Sequence, residues 1–158
     1  MIVRAQQQCH AHRVPSGTID TDGYYWDNPD AITYLTGLES AVTHTRLLDD
    51  FYAPSSAQVT AIRLAKRSNH RDRFAADYCT KGDWPGYRIA NDDQHQRIDR
   101  QLSHFSTDRA PRTPHPLSTF AQRAHDALKL LAAICDDDHR EQFRRTERRM
   151  ADALAHPV

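Results

Sequence analysis

The sequence predicts an all-α fold, a single-domain bundle of about five helices. Apolar residues recur at three- and four-residue steps in several stretches, which is the spacing of amphipathic helices. Period-two alternation is absent and β-branched residues are scattered, so we expect no strands. The chain of 158 residues has the size of one ordinary domain and is long enough to bury a core without disulfides or metal.

Two parts of the chain differ in character. Residues 1–27 are polar, and we expect an irregular N-terminal segment ahead of a helical domain over residues 28–158. Cys9, His10 and His12 are spaced too tightly for a structural zinc site, and no second ligand pair follows them. Glycine-rich phosphate-binding motifs are absent as well. The sequence therefore predicts no metal and no cofactor.

Capping residues and apolar stripes locate the helices. Asn28 suits an N-cap and Pro29 the first helical position, and Ser55 and Ser56 suit the start of a second helix. A loop follows near Trp84, whose ring we expect to anchor that loop on the core. The predicted helices cover residues 28–52, 57–67, 93–106, 117–135 and 138–154.

Within these helices, the sequence predicts which faces are buried. The first helix is expected to bury Leu38, Val42, Thr45, Leu48 and Tyr52, and the fourth to bury a longer stripe. The fourth helix's stripe comprises Phe120, Ala124, Ala127, Leu128, Leu131 and Cys135. The polar side chains assigned to solvent are Glu39, Thr43, His44, Arg46, Asp49 and Asp50 on the first helix and Arg140, Arg144, Arg145, Arg148 and Arg149 on the last.

The charges are unevenly distributed although the formal net charge is zero. Residues 1–60 hold three basic and seven acidic side chains, a balance of −4, and residues 61–158 hold 18 basic and 14 acidic ones, a balance of +4. The most basic run is Arg63, Lys66, Arg67, Arg71 and Arg73. It predicts contacts to a phosphate backbone, and a solvated helix end is the alternative.

Cysteine usage and hydropathy bear on the cellular compartment. Cys9, Cys79 and Cys135 are odd in number and far apart, which favours free thiols in a reducing compartment. No apolar run approaches the roughly 20 residues that span a bilayer, and the N-terminus lacks the apolar centre of a signal peptide. We expect a cytoplasmic protein without a membrane partner.

The third predicted helix carries the candidate functional residues. At about 100° per residue, its polar side chains form one stripe at the border of the apolar face that contains Ile98 and Leu102. This stripe consists of Arg97, Arg100, Gln101 and His104. Arginine can bind a phosphate with two parallel hydrogen bonds, and histidine can transfer protons near neutral pH. Together they provide what metal-free RNA cleavage requires.

A family resemblance follows from this stripe. Arg97, six intervening residues and His104 fit the R-x4-6-H pattern of HEPN domains, which are compact helical bundles of prokaryotic defence and toxin systems. The stretches HTRLLDDF (44–51), RDRFAADY (71–78) and RQLSHFSTDR (100–109) resemble a group of uncharacterised bacterial helical proteins. The HEPN resemblance implies a homodimer that acts on RNA, with Arg97 as phosphate binder and His104 as acid or base.

Two functions remain open at this point. HEPN nucleases commonly carry a polar residue after the arginine, whereas Ile98 stands here. The favoured prediction is therefore a non-catalytic, HEPN-like interaction module, and the alternative is a dimeric, metal-independent endoribonuclease. A His104 side chain held by Asp49 or Asp50 would favour the module. A serine hydrolase is not indicated, because no GxSxG motif is present.

Overall fold

The computed structural model describes residues 29–65, 72–103 and 116–156, with side chains for residues 36–65, 72–100 and 116–156. These residues form five α-helices and one 3-10 turn, and no strand occurs among them, which confirms the predicted all-α bundle. The helices are α1 (Pro29–Tyr52), α2 (Ser56–Leu64), α3 (Asp92–Ser103), α4 (Leu117–Ile134) and α5 (Asp137–Ala155), and the 3-10 turn is Ala75–Tyr78. The predicted segment 1–27 lies outside the described residues.

Helix α4 forms the centre of the bundle. It packs along α5 and against α1, and α1 in turn contacts α3. The whole predicted stripe of α4 is buried, including Cys135 just beyond its last turn. Four of the seven buried residues of α4 are alanines, whose small side chains let neighbouring helices approach closely. Phe143, Met150 and Leu154 of α5 cover the core from one side and are partly buried.

Helix α2 is shorter than predicted. It begins after Ser55, whose hydroxyl accepts from the Gln58 amide at 3.4 Å while the Gln58 side chain accepts from the Ser55 amide at 2.8 Å. This capping box satisfies two amide groups at the helix start. The helix ends at Leu64 rather than near residue 67, and Ala65 just beyond it is exposed.

The start of α5 also differs from the prediction. Its N-cap position is occupied by Asp136 rather than Asp138, and the Asp136 carboxylate binds Thr80 and Lys81 instead of capping the helix. Arg140 was expected on the solvated face, yet it is half-buried and donates to the Cys135 carbonyl oxygen at 2.8 Å. The guanidinium thus satisfies a carbonyl group at the end of α4. The other predicted arginines of α5 are exposed.

Trp84 anchors its loop on the core, as predicted, with only 1% of its surface exposed. The indole Nε1 donates to the Tyr52 carbonyl oxygen at 2.8 Å, and the Trp84 amide donates to the Ser56 hydroxyl at 2.9 Å. Because Tyr52 ends α1 and Ser56 begins α2, the loop fixes the corner between these two helices.

Gly86 in the same loop occupies a position that excludes a side chain. Its φ is 83°, and an added Cβ would lie 2.5 Å from the Ala53 carbonyl oxygen. We expect Gly86→Ala to lower the free energy of unfolding by about 2 kcal/mol or more, since the contact is with backbone. Gly82→Ala is the matched control, because nothing lies within 4 Å of its added Cβ. Urea denaturation should show a clear loss for the first variant only, and equal midpoints would contradict this packing.

Candidate functional site

A buried carboxylate organises the contact between α1 and α3. Asp49 is only 3% exposed, and its Oδ1 accepts hydrogen bonds from the amides of Ile89 at 2.7 Å and Ala90 at 3.4 Å. These amides belong to the buried segment that leads into α3. The Asp49 carboxylate therefore satisfies backbone groups that would otherwise be buried without a partner.

His95 continues this polar contact along α3. Its Nε2 lies 3.8 Å from Asp49 Oδ2, and its Nδ1 lies 3.5 Å from Asp99 Oδ2. Both ring nitrogens thus face carboxylates, an arrangement in which the imidazole joins α1 to α3. It does not suit a general base, which needs one nitrogen directed at a substrate.

Arg46 connects the network to the surface. It contacts Asp99 of α3, and its Nε lies 3.2 Å from Asp50 Oδ2 on its own helix. The Asp50 pair is exposed and contributes little to stability, whereas the Asp99 contact links α1 to α3. We call Arg46, Asp49, His95 and Asp99 the α1–α3 network.

The sequence analysis assigned Asp49 to the solvated face of α1, and that assignment was wrong. Asp49 lies in register with the buried residues Val42, Thr45 and Tyr52, at steps of three and four. The sequence contained one indication of this burial, because its helical register places the Asp49 carboxylate at a core position. The sequence analysis also did not single out His95 and Asp99 as site residues. Both lie within one helical turn of Ile98, which is fully buried.

The predicted catalytic stripe is only partly described. Arg97 is half-buried and Arg100 is exposed, and neither forms an ion pair with another residue in the described ranges. His104 and the side chain of Gln101 lie outside the described residues. The carboxylates considered as holders of His104 have other neighbours, since Asp49 faces His95 and Asp50 faces Arg46.

A half-open groove of about 900 Å³ lies beside the network. It runs between α1, α2, residues 72–74 and the start of α3. Its larger apolar side chains are Leu47, Phe51, Ile62 and Phe74. Leu47 is 59% exposed, and the other three are only partly covered. The groove therefore presents apolar surface to solvent.

The charged side chains of the groove are mostly acidic. Four aspartates line it against two arginines and one histidine: Asp49, Asp50, Asp72, Asp92, Arg73, Arg88 and His95. Arg88 contacts Asp92, so this pair neutralises one arginine and one aspartate and leaves three aspartates beside Arg73 and His95. The groove thus favours an occupant with positive charges.

The predicted phosphate-binding run separates into residues with different surroundings. Arg63 lies 2.8 Å from an Asp77 carboxylate oxygen and 5.9 Å from the centre of the Phe74 ring, so it links α2 to the 3-10 turn. Arg73 is exposed and lines the groove. Lys66, Arg67 and Arg71 lie outside the described residues.

Fold and site together describe an all-helical bundle with an exposed apolar groove beside the partly buried α1–α3 network. Comparison of the chain with protein-family models, curated proteins and solved structures found no match in any of the three. Among the described residues, no group of three or more His, Cys, Asp or Glu side chains is arranged to hold a metal ion. None of the described helices combines the length and the apolar character needed to cross a membrane.

Proposed function

We propose that this protein is a non-catalytic, HEPN-like interaction module that binds a partner protein in the groove. The observation that carries this proposal is the apolar wall of Leu47, Phe51, Ile62 and Phe74, which remains accessible to solvent. Exposed apolar side chains gathered in one concave surface are typical of protein-binding sites. An amphipathic helix placed in such a groove would bury them.

The charges define the partner further. Because aspartates outnumber arginines along the groove, we expect a partner helix with apolar residues on one face and lysines or arginines beside them. A small molecule fits less well, since binding pockets usually enclose most of their ligand and this groove is half open.

The surrounding contacts support a groove that exists before binding. Asp49 fixes the segment at Ile89 and Ala90, and Trp84 fixes the corner between α1 and α2. Both contacts hold elements that form the groove. A preformed site loses little conformational entropy on binding, which favours affinity.

Site-specific photo-crosslinking in the producing cells tests this proposal. A photoreactive amino acid at Leu47 should yield one discrete crosslinked protein, and Phe74→Asp should abolish that product. The same amino acid at Leu64, which is 80% exposed and does not line the groove, is the matched control. Identical products from both positions, or no product from Leu47, would refute the proposed groove.

A dimeric, metal-independent endoribonuclease of HEPN type is the second candidate. One observation favours it: Arg97 and Arg100 form no ion pair within the described parts of the chain, which leaves both guanidinium groups for phosphates. In this case His104 would act as acid or base on the 2′-hydroxyl, and a second subunit would complete the site.

Incubation with RNA in EDTA decides between the candidates. The interaction module is expected to leave RNA intact at equimolar protein. The nuclease would cleave it, and Arg97→Ala and His104→Ala would each reduce the rate by roughly 100-fold or more. Arg144→Ala, which removes an exposed arginine of α5, is the control that should retain full activity.

A further inference from the structure

Two buried thiols face the same junction of the bundle. Cys79 follows the 3-10 turn, and Cys135 occupies the C-cap of α4. They are 2% and 1% exposed, and both are free thiols. Neither belongs to the groove or to the α1–α3 network.

Hydrogen bonds on both sides of Cys79 lead to the residue after Cys135. The Asp136 amide donates to the Tyr78 carbonyl oxygen at 2.7 Å, and the Thr80 amide donates to Asp136 Oδ2 at 3.0 Å. With peptide bonds of fixed length, the first bond holds the Cα atoms of the two cysteines within about 8 Å. A disulfide bond requires roughly 4.4–6.8 Å between these atoms.

The electrostatics agree with this proximity. Burial raises the pKa of the Cys79 thiol to about 11, and the neighbouring Cys135 thiol contributes to the increase. Burial raises the pKa of Cys135 as well. Both groups are therefore protonated at neutral pH, so each reacts only through a small thiolate fraction.

We infer that Cys79 and Cys135 are a modification site, at which they form a reversible disulfide bond with each other when the protein meets a low-molecular-weight disulfide such as oxidised glutathione. When the contact between the segment after the 3-10 turn and the α4–α5 junction opens locally, one protein thiol loses its proton, attacks the glutathione disulfide and releases one glutathione thiol. The second protein thiol loses its proton, attacks the protein sulfur of this mixed disulfide and releases the second glutathione thiol. Two protein thiols are thereby oxidised, and one glutathione disulfide is reduced.

The Cys79–Cys135 disulfide bond would change the stability of the fold and would not create a new surface. It would join the segment after the 3-10 turn to the α4–α5 junction, which are far apart in the chain. Such a crosslink restricts the unfolded chain and raises the melting temperature. Because the thiolate is the attacking species, formation should be slow at neutral pH and faster as the pH approaches that of thiol ionisation.

The test uses the full chain under native conditions. After prolonged incubation with oxidised glutathione at about pH 8, where a small thiolate fraction is present, remaining thiols are alkylated and the digest is analysed by mass spectrometry. We expect one peptide pair joined through Cys79 and Cys135, with Cys9 outside this linked pair, and a melting temperature several degrees higher that dithiothreitol reverses.

The three single cysteine variants serve as controls. Cys9→Ser should give the same linked pair, whereas Cys79→Ser and Cys135→Ser should give none. A sample oxidised in denaturant should pair its three cysteines without preference, which shows that the fold selects the pair. Free Cys79 and Cys135 after prolonged native oxidation, separate glutathione adducts, or links to Cys9 would each overturn the inference.

Discussion

Replacing Trp84 by alanine is expected to lower the free energy of unfolding by about 4 kcal/mol, the largest effect of any single change considered. The indole is almost completely buried, and its ring packs 6.0 Å from that of Tyr52. The substitution leaves a large cavity between α1 and α2. It also removes the donor to the Tyr52 carbonyl oxygen, which then stays buried without that partner.

Urea denaturation followed by circular dichroism measures this loss. Trp84→Phe is the informative control, because it keeps most of the apolar volume and removes only the indole N–H. We expect it to cost about 1–2 kcal/mol, close to the loss of one buried hydrogen bond plus a smaller cavity, since the Tyr52 carbonyl oxygen still accepts from the Tyr87 amide. A loss below about 1 kcal/mol for Trp84→Ala would show that the loop does not anchor the corner.

Asp49→Ala is expected to cost about 3 kcal/mol. The change removes the acceptor of the Ile89 and Ala90 amides, both of which are buried, and it removes one of the two carboxylates that face His95. Asp49→Asn retains one acceptor oxygen and should cost less.

Asp50→Ala is the matched control for this prediction. It removes the neighbouring carboxylate, which is exposed and pairs only with Arg46 among the contacts described for it. Its effect should stay below about 0.5 kcal/mol, as is usual for surface ion pairs. Equal losses for the two variants in the same urea experiment would contradict the structural role assigned to Asp49.

The sequence predicted the core of α4 well. The apolar side chains from Phe120 to Cys135 repeat on one face, and burial of such a face is decided by the local period alone. The same reasoning identified Trp84 as an anchor, because a large aromatic ring in a short polar loop gains most by packing on the core.

The α1–α3 network could not be predicted from local sequence patterns. A carboxylate at position 49 is tolerated in the core only because the amides of Ile89 and Ala90, distant in the chain, approach it. Neither the composition nor the hydrophobic period of the sequence predicts that these amides approach Asp49. Asp49 was therefore assigned to solvent by its residue type, although its register on α1 matched Val42 and Tyr52.

The groove shows the same limitation. Leu47 and Phe51 come from α1, Ile62 from α2 and Phe74 from the segment before the 3-10 turn. Each is unremarkable within its own segment, and the binding surface arises only when the three segments meet. The Arg97–His104 stripe, in contrast, could be predicted from the sequence because its residues lie in one short continuous stretch of the chain.

The affinity of the crosslinked partner for two leucine variants tests the central proposal most directly. In titration calorimetry, Leu47→Asp should weaken binding at least tenfold, or about 1.4 kcal/mol, because it places a charge in the apolar groove. Leu64→Asp makes the same change outside the groove and should leave Kd within about twofold of the wild-type value. Wild-type affinity in Leu47→Asp, or an equal loss in both variants, would contradict binding in the groove.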